Sequence, residues 1–169
     1  PIDGAERILE EVATLQEAMR WVHDRTVEGM NAGVDVWTLM DQVRVPDHLD
    51  VGEGYGQTKW NVRAIWEHYA GWFHHRSTTE LHGVHPLATA PDLVELAGAD
   101  ALVAAARSHL DDGRPVEALQ LTDVVLAVDA DHAGARAAAI DATTELLAST
   151  GNFWESAWLR RSLTKLGAT

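Results

Sequence analysis

The sequence predicts an all-α fold, a helical bundle whose C-terminal half is built from helical hairpins. No stretch shows the sustained alternation of apolar and polar residues that a half-buried strand requires, whereas apolar residues recur at three- and four-residue spacing. From Pro91 onward the chain becomes rich in Ala and is interrupted by single glycines. We therefore expect one all-α domain over residues 1–169. Residues 1–90 would hold a long helix and an aromatic helix, and residues 91–169 the Ala-rich hairpins.

The first predicted helix runs from about Ala5 to Asn31 and ends before Gly33. Its apolar positions alternate steps of four and three residues, which is typical of a helix-packing seam: Ile8, Val12, Leu15, Met19, Val22 and Thr26. At 1.5 Å per residue this helix is about 40 Å long, more than a small domain needs to cover its own core. Two interpretations stay open: the helix extends beyond its own subunit, or it packs along a bundle within the chain.

A short second helix is predicted from about Asp35 to Val43. Its inward positions are Val36, Met40 and Val43, with Trp37 beside them. The next segment, from Arg44 to Gly56, is predicted to be a loop because of its Pro, Asp and Gly content. This loop contains three glycines, Gly52, Gly54 and Gly56. Glycine adopts backbone conformations that other residues rarely adopt, and its lack of a side chain lets other groups approach closely.

The stretch from Gly54 to Phe73 concentrates the aromatic residues of the chain. It holds three of the seven Trp, both Tyr and one of the two Phe. From Gln57 on, the spacing predicts a helix with one apolar face: Val62, Ile65, Trp66, Tyr69 and Phe73. Because aromatic side chains carry so much apolar area, we expect this face to be buried against another surface.

The C-terminal half is predicted to form five shorter helices. Their approximate ranges are Asp92–Leu96, Asp100–Asp111, Val116–Val128, His132–Thr150 and Asn152–Leu166. Ala106, Ala118 and Val125 stand where tetratricopeptide-like (TPR-like) hairpins bring two helices close together. One such unit is visible, and no second one follows at the period of about 34 residues. The prediction is therefore a TPR-like hairpin rather than a repeat array.

Composition excludes several classes of function. The net charge of −13 argues against nucleic acid and anionic membrane surfaces as partners. The chain has no Cys, and no apolar run approaches the roughly 18 residues that span a bilayer. The N-terminal residues are acidic, so we do not expect a signal peptide there.

The densest group of candidate metal ligands is His74, His75, His82 and His85, with His68 just upstream. A zinc site needs three or four ligands that converge with fixed geometry, and no recognisable ligand spacing is present here. Solvent-exposed or capping histidines are the favoured interpretation, and we assign no metal site to this chain. No nucleophilic triad, phosphate loop or dinucleotide fingerprint is present either, so no catalytic residue is assigned.

Asn61 and Arg63 are candidates for anion binding, since they lie near the start of a helix where backbone N–H groups are free. The alternative is structural: Arg63 pairs with Glu67 one turn later and Asn61 holds a loop. We favour this alternative.

Several motifs occur in a fixed order along the chain: VHDRT (Val22–Thr26), MNAG (Met30–Gly33), GYG, NVRAIW, Tyr69 and GWF, followed by NFWESAWLRR near the C-terminus. Together they resemble the dimerisation domain of the alkyl sulfatases, zinc hydrolases of the metallo-β-lactamase superfamily. The resemblance extends from about Glu11 to Leu166. It implies a homodimer, and a catalytic domain with two zinc ions in the same polypeptide. It also implies that Tyr55 reaches the sulfate ester.

The H-x-H-x-D-H zinc motif of that family's catalytic domain is absent from the sequence. We therefore expect a dimerisation and scaffold domain without cofactor, either part of a larger enzyme or a free-standing relative. The expected dimer contacts are Val12, Leu15, Met19, Val22, Trp66, Tyr69, Trp72 and Phe73. Two alternatives remain: an independent TPR-like module that binds a peptide, and a standalone enzyme, which we favour least.

Overall fold

The computed structural model describes residues 3–168, which form eight α-helices, two 3-10 turns and no strand. The helices are α1 (Ala5–Asn31), α2 (Val36–Gln42), α3 (Thr58–Ala70), α4 (Ala90–Ala97), α5 (Ala99–Asp111), α6 (Pro115–Val128), α7 (Ala133–Ser149) and α8 (Phe153–Leu166). The 3-10 turns span Asp47–Leu49 and Thr78–Leu81. The all-α prediction is confirmed. The chain divides into two compact units, residues 1–83 and residues 84–169.

The first unit has a core of large side chains from its three helices. The buried members are Val22, Val36, Leu39, Val43, Val62 and Trp66. Helix α1 approaches α2 closely at Gly29, where a Cβ atom would overlap the side chain of Leu39. At the end of α1 the backbone turns through Gly33 at φ 76°, a conformation that glycine adopts without strain. Asp35 caps the N-terminus of helix α2, and its carboxylate accepts hydrogen bonds from the N–H groups of Trp37 and Thr38.

The seam of α1 is buried along only part of its length. Val22 and Thr26 are buried, and the Thr26 hydroxyl donates to the carbonyl oxygen of Val22 at 2.7 Å. The N-terminal half of the helix, residues 5–17, has no buried residue although it carries the other half of the same seam. We call this half the arm.

Helix α3 corrects two expectations. It ends at Ala70, and Gly71 follows in a left-handed conformation with φ 71°, so Phe73 lies beyond the helix instead of on its face. Of the aromatic residues between Gly54 and Phe73, Trp66 alone is buried within the chain, and Tyr69 is exposed. The predicted apolar face is therefore buried within the chain only in part: Val62 and Trp66 are buried and Ile65 packs against them, because α1 and α2 cover only that side of α3.

The second unit packs its helices through small residues. Short connections join α5 to α6, α6 to α7 and α7 to α8, and each of these pairs is in contact. The α7 residues with side chains buried against neighbouring helices are Ala135, Ala138, Ala139, Ala142 and Thr143. The predicted small positions Ala106, Ala118 and Val125 are all buried. The TPR-like character of these hairpins stays a prediction.

Helix α4 begins two residues earlier than predicted. Pro91 occupies its first turn, where a missing N–H leaves no hydrogen bond unsatisfied, so the proline starts this helix instead of preceding it. No helix within residues 3–168 is both long and apolar enough to cross a lipid bilayer.

Candidate functional site

Tyr55 lies on the loop between the first 3-10 turn and α3, and it is 73% exposed. Hydrogen bonds fix the loop on both sides. The carboxylate of Asp50 accepts from the N–H of Gly52 at 2.8 Å, and that of Glu53 accepts from the N–H of Thr58 at 2.7 Å. The second bond caps the first turn of α3 with a negative charge, as the helix dipole favours. The loop therefore presents Tyr55 at the surface from a defined backbone.

The three loop glycines have different roles. Gly52 has φ 73°, in the left-handed region, so its turn requires glycine. Neither Gly54 nor Gly56 has a positive φ, and a Cβ atom at either would meet nothing within 4 Å. Within this chain, the backbone conformation therefore requires glycine at Gly52 but not at Gly54 or Gly56.

The structure brings Asn61 and Arg63 to different neighbours. The Asn61 amide lies 4.0 Å from the Met19 sulfur on α1. The Nε–H of Arg63 donates to the Glu67 carboxylate at 2.8 Å, and its guanidinium lies over the Trp37 ring, 5.3 Å from the centroid. The pairing with Glu67 that we favoured is present. Anion binding by either residue stays a prediction.

Glu67 and Glu80 stabilise the segment after α3 through contacts with His74. Glu67 Oε1 lies 3.0 Å from His74 Nε2, and the backbone N–H of His74 donates to Glu80 at 2.7 Å. Arg76 Nε is 3.2 Å from the second oxygen of Glu80, an ion pair outside hydrogen-bond alignment. The hydrogen bond from Arg63, followed by that from His74, lowers the pKa of the Glu67 carboxyl group. These contacts give His74 a structural role, as a histidine held between two carboxylates.

Residues 3–168 contain no group of three or more His, Asp or Glu side chains that could hold a metal ion. The donor set that a zinc ion requires is therefore not found in this part of the chain, and no catalytic step through zinc can be derived from it.

The expected dimer contacts differ in exposure. Val22 and Trp66 lie in the core of the first unit and have little surface left for a partner. Phe73 is half-buried. The exposed members are Val12, Leu15, Met19, Tyr69 and Trp72. A partner could reach these five side chains directly, and Phe73 in part.

Sequence reasoning missed one hydrogen-bonded chain of side chains. His23 Nδ1 lies 2.9 Å from Asp24 Oδ1, and His23 Nε2 lies 2.8 Å from the Tyr69 hydroxyl. These contacts connect VHDRT on α1 to the last turn of α3. The motif was visible in the sequence, but its partner lies 46 residues away, and no local spacing reveals such a pairing.

The sequence matches the family described as alkyl sulfatase dimerisation over residues 38–164. It is 32% identical to a linear primary-alkylsulfatase of Pseudomonas sp. over 142 residues, covering 80% of this chain and 27% of that protein. It is 26% identical to an alkyl/aryl-sulfatase of Saccharomyces cerevisiae over 165 residues, covering 94% of this chain and 25% of that protein.

A solved structure of a stereoselective inverting sec-alkylsulfatase from Pseudomonas sp. has the same fold. It superposes with a TM-score of 0.86 at 25% identity, covering 100% of this chain and 28% of that one. This chain thus spans about a quarter of the length of the relatives it matches.

Proposed function

Because the chain belongs to the alkyl sulfatase dimerisation family, we propose that it forms a homodimer and serves as the dimerisation and scaffold domain of an alkyl-sulfatase-like zinc hydrolase. The observation that carries this proposal is the arm of α1. It presents Ile8, Val12 and Leu15 to solvent, continued by Met19 just beyond it.

The arm carries an exposed apolar seam, and this pattern predicts a partner. Residues 5–17 contain no buried side chain, and an isolated helix of about 12–15 residues is only marginally stable in water. An apolar strip with seam spacing is stabilised by packing against another helical surface, which removes its area from water. Nothing within residues 3–168 buries this strip, so a second copy of the chain is the partner we propose.

The exposed aromatic residues at the end of α3 extend the proposed contact. Tyr69 is tied to α1 through His23, and Trp72 follows the helix. Val22 and Trp66 would support this contact indirectly, because their packing in the core fixes the positions of α1 and α3.

Light scattering coupled to size-exclusion chromatography tests the dimer. At micromolar concentration the chain should elute at twice its 18.5 kDa mass. Val12→Asp and Leu15→Asp should produce monomers, because each would place a charge in an apolar contact. Both positions lie outside the core of the chain, so circular dichroism should show the rest of the fold intact, with a loss of helix content no larger than the freed arm, residues 5–17.

Leu96→Asp is the matched control, since Leu96 is 85% exposed on α4 and lies outside the proposed contact. A wild-type chain that stays at 18.5 kDa across the micromolar range would contradict the proposal.

For the enzyme as a whole, we propose that Tyr55 reaches the sulfate-ester site of a metallo-β-lactamase-type domain in the same polypeptide. This role is supported by the exposed phenol of Tyr55 and by the hydrogen bonds of Asp50 and Glu53 that fix the loop. In an enzyme that contains both domains, Tyr55→Phe should lower kcat/KM for an alkyl sulfate about tenfold or more through loss of a hydrogen-bond donor. Zinc content and dimer mass should not change. An unaltered kcat/KM would remove Tyr55 from the site.

A further inference from the structure

Two glycines of the Tyr55 loop have no structural reason within the chain to be glycine. Gly54 and Gly56 lie outside the left-handed region that Gly52 occupies at φ 73°. A Cβ atom at either position would meet no atom within 4 Å apart from its own chain neighbours. The backbone conformation and the surrounding space would therefore both admit alanine at these two positions.

Glycine at such positions lowers the stability of the folded chain. It loses more backbone freedom on folding than any other residue, so alanine in the same allowed conformation is stabilising. The loop does not need this freedom to form, because the carboxylates of Asp50 and Glu53 already fix it on both sides. The isolated chain thus gains nothing from glycine at positions 54 and 56.

The two glycines leave the space on both sides of Tyr55 free of side chains. Residues 50–56 are all exposed, and the chain bends at Gly54 and Tyr55, so Tyr55 stands at a turn with bare backbone on either side. Each flanking Cα atom lies about 3.8 Å from that of Tyr55. A molecule that lies against the exposed ring of Tyr55 is therefore close to both glycines, where a methyl group would take up room.

We propose that Gly54 and Gly56 admit alkyl sulfates that are branched at the carbon carrying the sulfate. The inference rests on the proposed role of Tyr55 at the sulfate ester and extends it to that carbon. A primary alkyl sulfate has one carbon substituent there, and a secondary alkyl sulfate has two. Side chains at positions 54 and 56 would compete with the second substituent for the same space, whereas glycine leaves this space open.

A comparison of two substrates tests the inference in an enzyme that contains both domains. Gly54→Ala and Gly56→Ala are assayed on a primary and a secondary alkyl sulfate with the same number of carbons. The ratio of kcat/KM for the secondary ester to that for the primary ester should fall about tenfold or more, because a pocket discriminates one methyl or methylene group by about that factor.

Binding can also be measured without turnover. Alkanesulfonates carry a C–S bond in place of the sulfate ester and are not hydrolysed. Isothermal titration calorimetry with a linear and a branched alkanesulfonate should show the same change in preference, with the branched ligand losing about tenfold more affinity in Gly54→Ala and Gly56→Ala.

Stability separates this role from a structural one. In urea unfolding of the present chain, Gly54→Ala and Gly56→Ala should have midpoints equal to or above that of wild type. Gly52→Ala should have a lower midpoint, because alanine is strained at φ 73°. By displacing the loop, Gly52→Ala should also lower kcat/KM for both esters alike. A selective loss for the secondary ester without a loss of stability is the outcome that a structural role would not produce.

Gly83→Ala and Gly151→Ala are the matched controls. Neither glycine is in the left-handed region, neither would place a Cβ atom near another atom, and both lie outside the loop. They should leave the substrate preference unchanged.

If Gly54→Ala and Gly56→Ala affect neither ester, or both equally, while Tyr55→Phe still lowers kcat/KM, the present inference falls and the role of Tyr55 stands. If Tyr55→Phe is also without effect, both fall. A wild-type enzyme that hydrolyses the primary ester but not the secondary one would overturn the inference as well.

Discussion

The two units of the chain build helical cores by opposite means. In the first, α1, α2 and α3 interdigitate large side chains such as Leu39, Val62 and Trp66. In the second, Ala106, Ala118 and Ala142 are all completely buried, so the helix backbones approach each other closely. A core of large side chains is sensitive to lost volume, and a core of alanines to added volume. The contrast shows that similar helical patterns can specify two kinds of packing.

The strongest test of this contrast removes volume from the first core. Trp66→Ala should lower the free energy of unfolding by about 3–5 kcal/mol, because a large buried side chain leaves a cavity. The indole N–H of Trp66 is buried without a hydrogen-bond partner among the described residues. Trp66→Phe should therefore cost less, below about 1.5 kcal/mol, since it also removes an unsatisfied donor.

Urea unfolding followed by circular dichroism, at one fixed protein concentration, measures both variants. Leu96→Ala at an exposed site should stay within about 0.5 kcal/mol of wild type. Equal losses for Trp66→Ala and Leu96→Ala would refute the assignment of Trp66 to the core.

The converse test adds volume to the second core. Ala142→Leu should destabilise the chain by about 1–3 kcal/mol or more, because extra methylene groups force the closely packed helices apart. Ala137→Leu, on the exposed side of the same helix, should be nearly neutral. The same urea titration measures both. If Ala142→Leu were as stable as wild type, the helices would have spare room and the contrast between the cores would fail.

The smallest expected loss of stability comes from the contacts that hold the irregular segment after α3, where Glu67 pairs with His74. Glu67→Gln should lower stability at pH 7 by less than about 1 kcal/mol, because this partly exposed carboxylate is screened by solvent. The pKa of Glu67 is lowered in the folded chain, so its contribution is present above the ordinary carboxyl range and is lost as pH falls through the lowered pKa.

The difference between wild type and Glu67→Gln should accordingly shrink on acidification, as unfolding measured at several pH values would reveal. Glu145→Gln, an exposed glutamate of α7, is the control and should show no comparable trend. A difference that grows towards acid pH would reverse the sign and contradict the hydrogen bonding seen here.

Much of the fold could be predicted because helices are specified locally. The observed bounds of α1, Ala5–Asn31, agree with those predicted, since its seam and closing glycine lie within the helix itself or next to it. The Arg63–Glu67 pair was predictable for the same reason, being one turn apart. Helix α4 began earlier than predicted because proline is compatible with a first turn.

The candidate site was less predictable because its contacts join distant residues. His23 and Tyr69 form a hydrogen bond that no periodicity indicates. Trp66 and Tyr69 share an apolar pattern, yet one is buried and the other exposed. Periodicity predicts that residues share a side of a helix, whereas the position of the neighbouring helices decides how much of that side is covered.

The sequence alone determined the helical class, the positions of the helices and, through its motifs, the family resemblance. The tertiary structure decided where the apolar seam of α1 stops being core, between Met19 and Val22. Both residues obey one spacing, but α2 and α3 bury only the second, whereas Met19 approaches α3 at the Asn61 amide and stays exposed. A helix carries its apolar pattern along its whole length, and solvent is excluded only where another element lies against it.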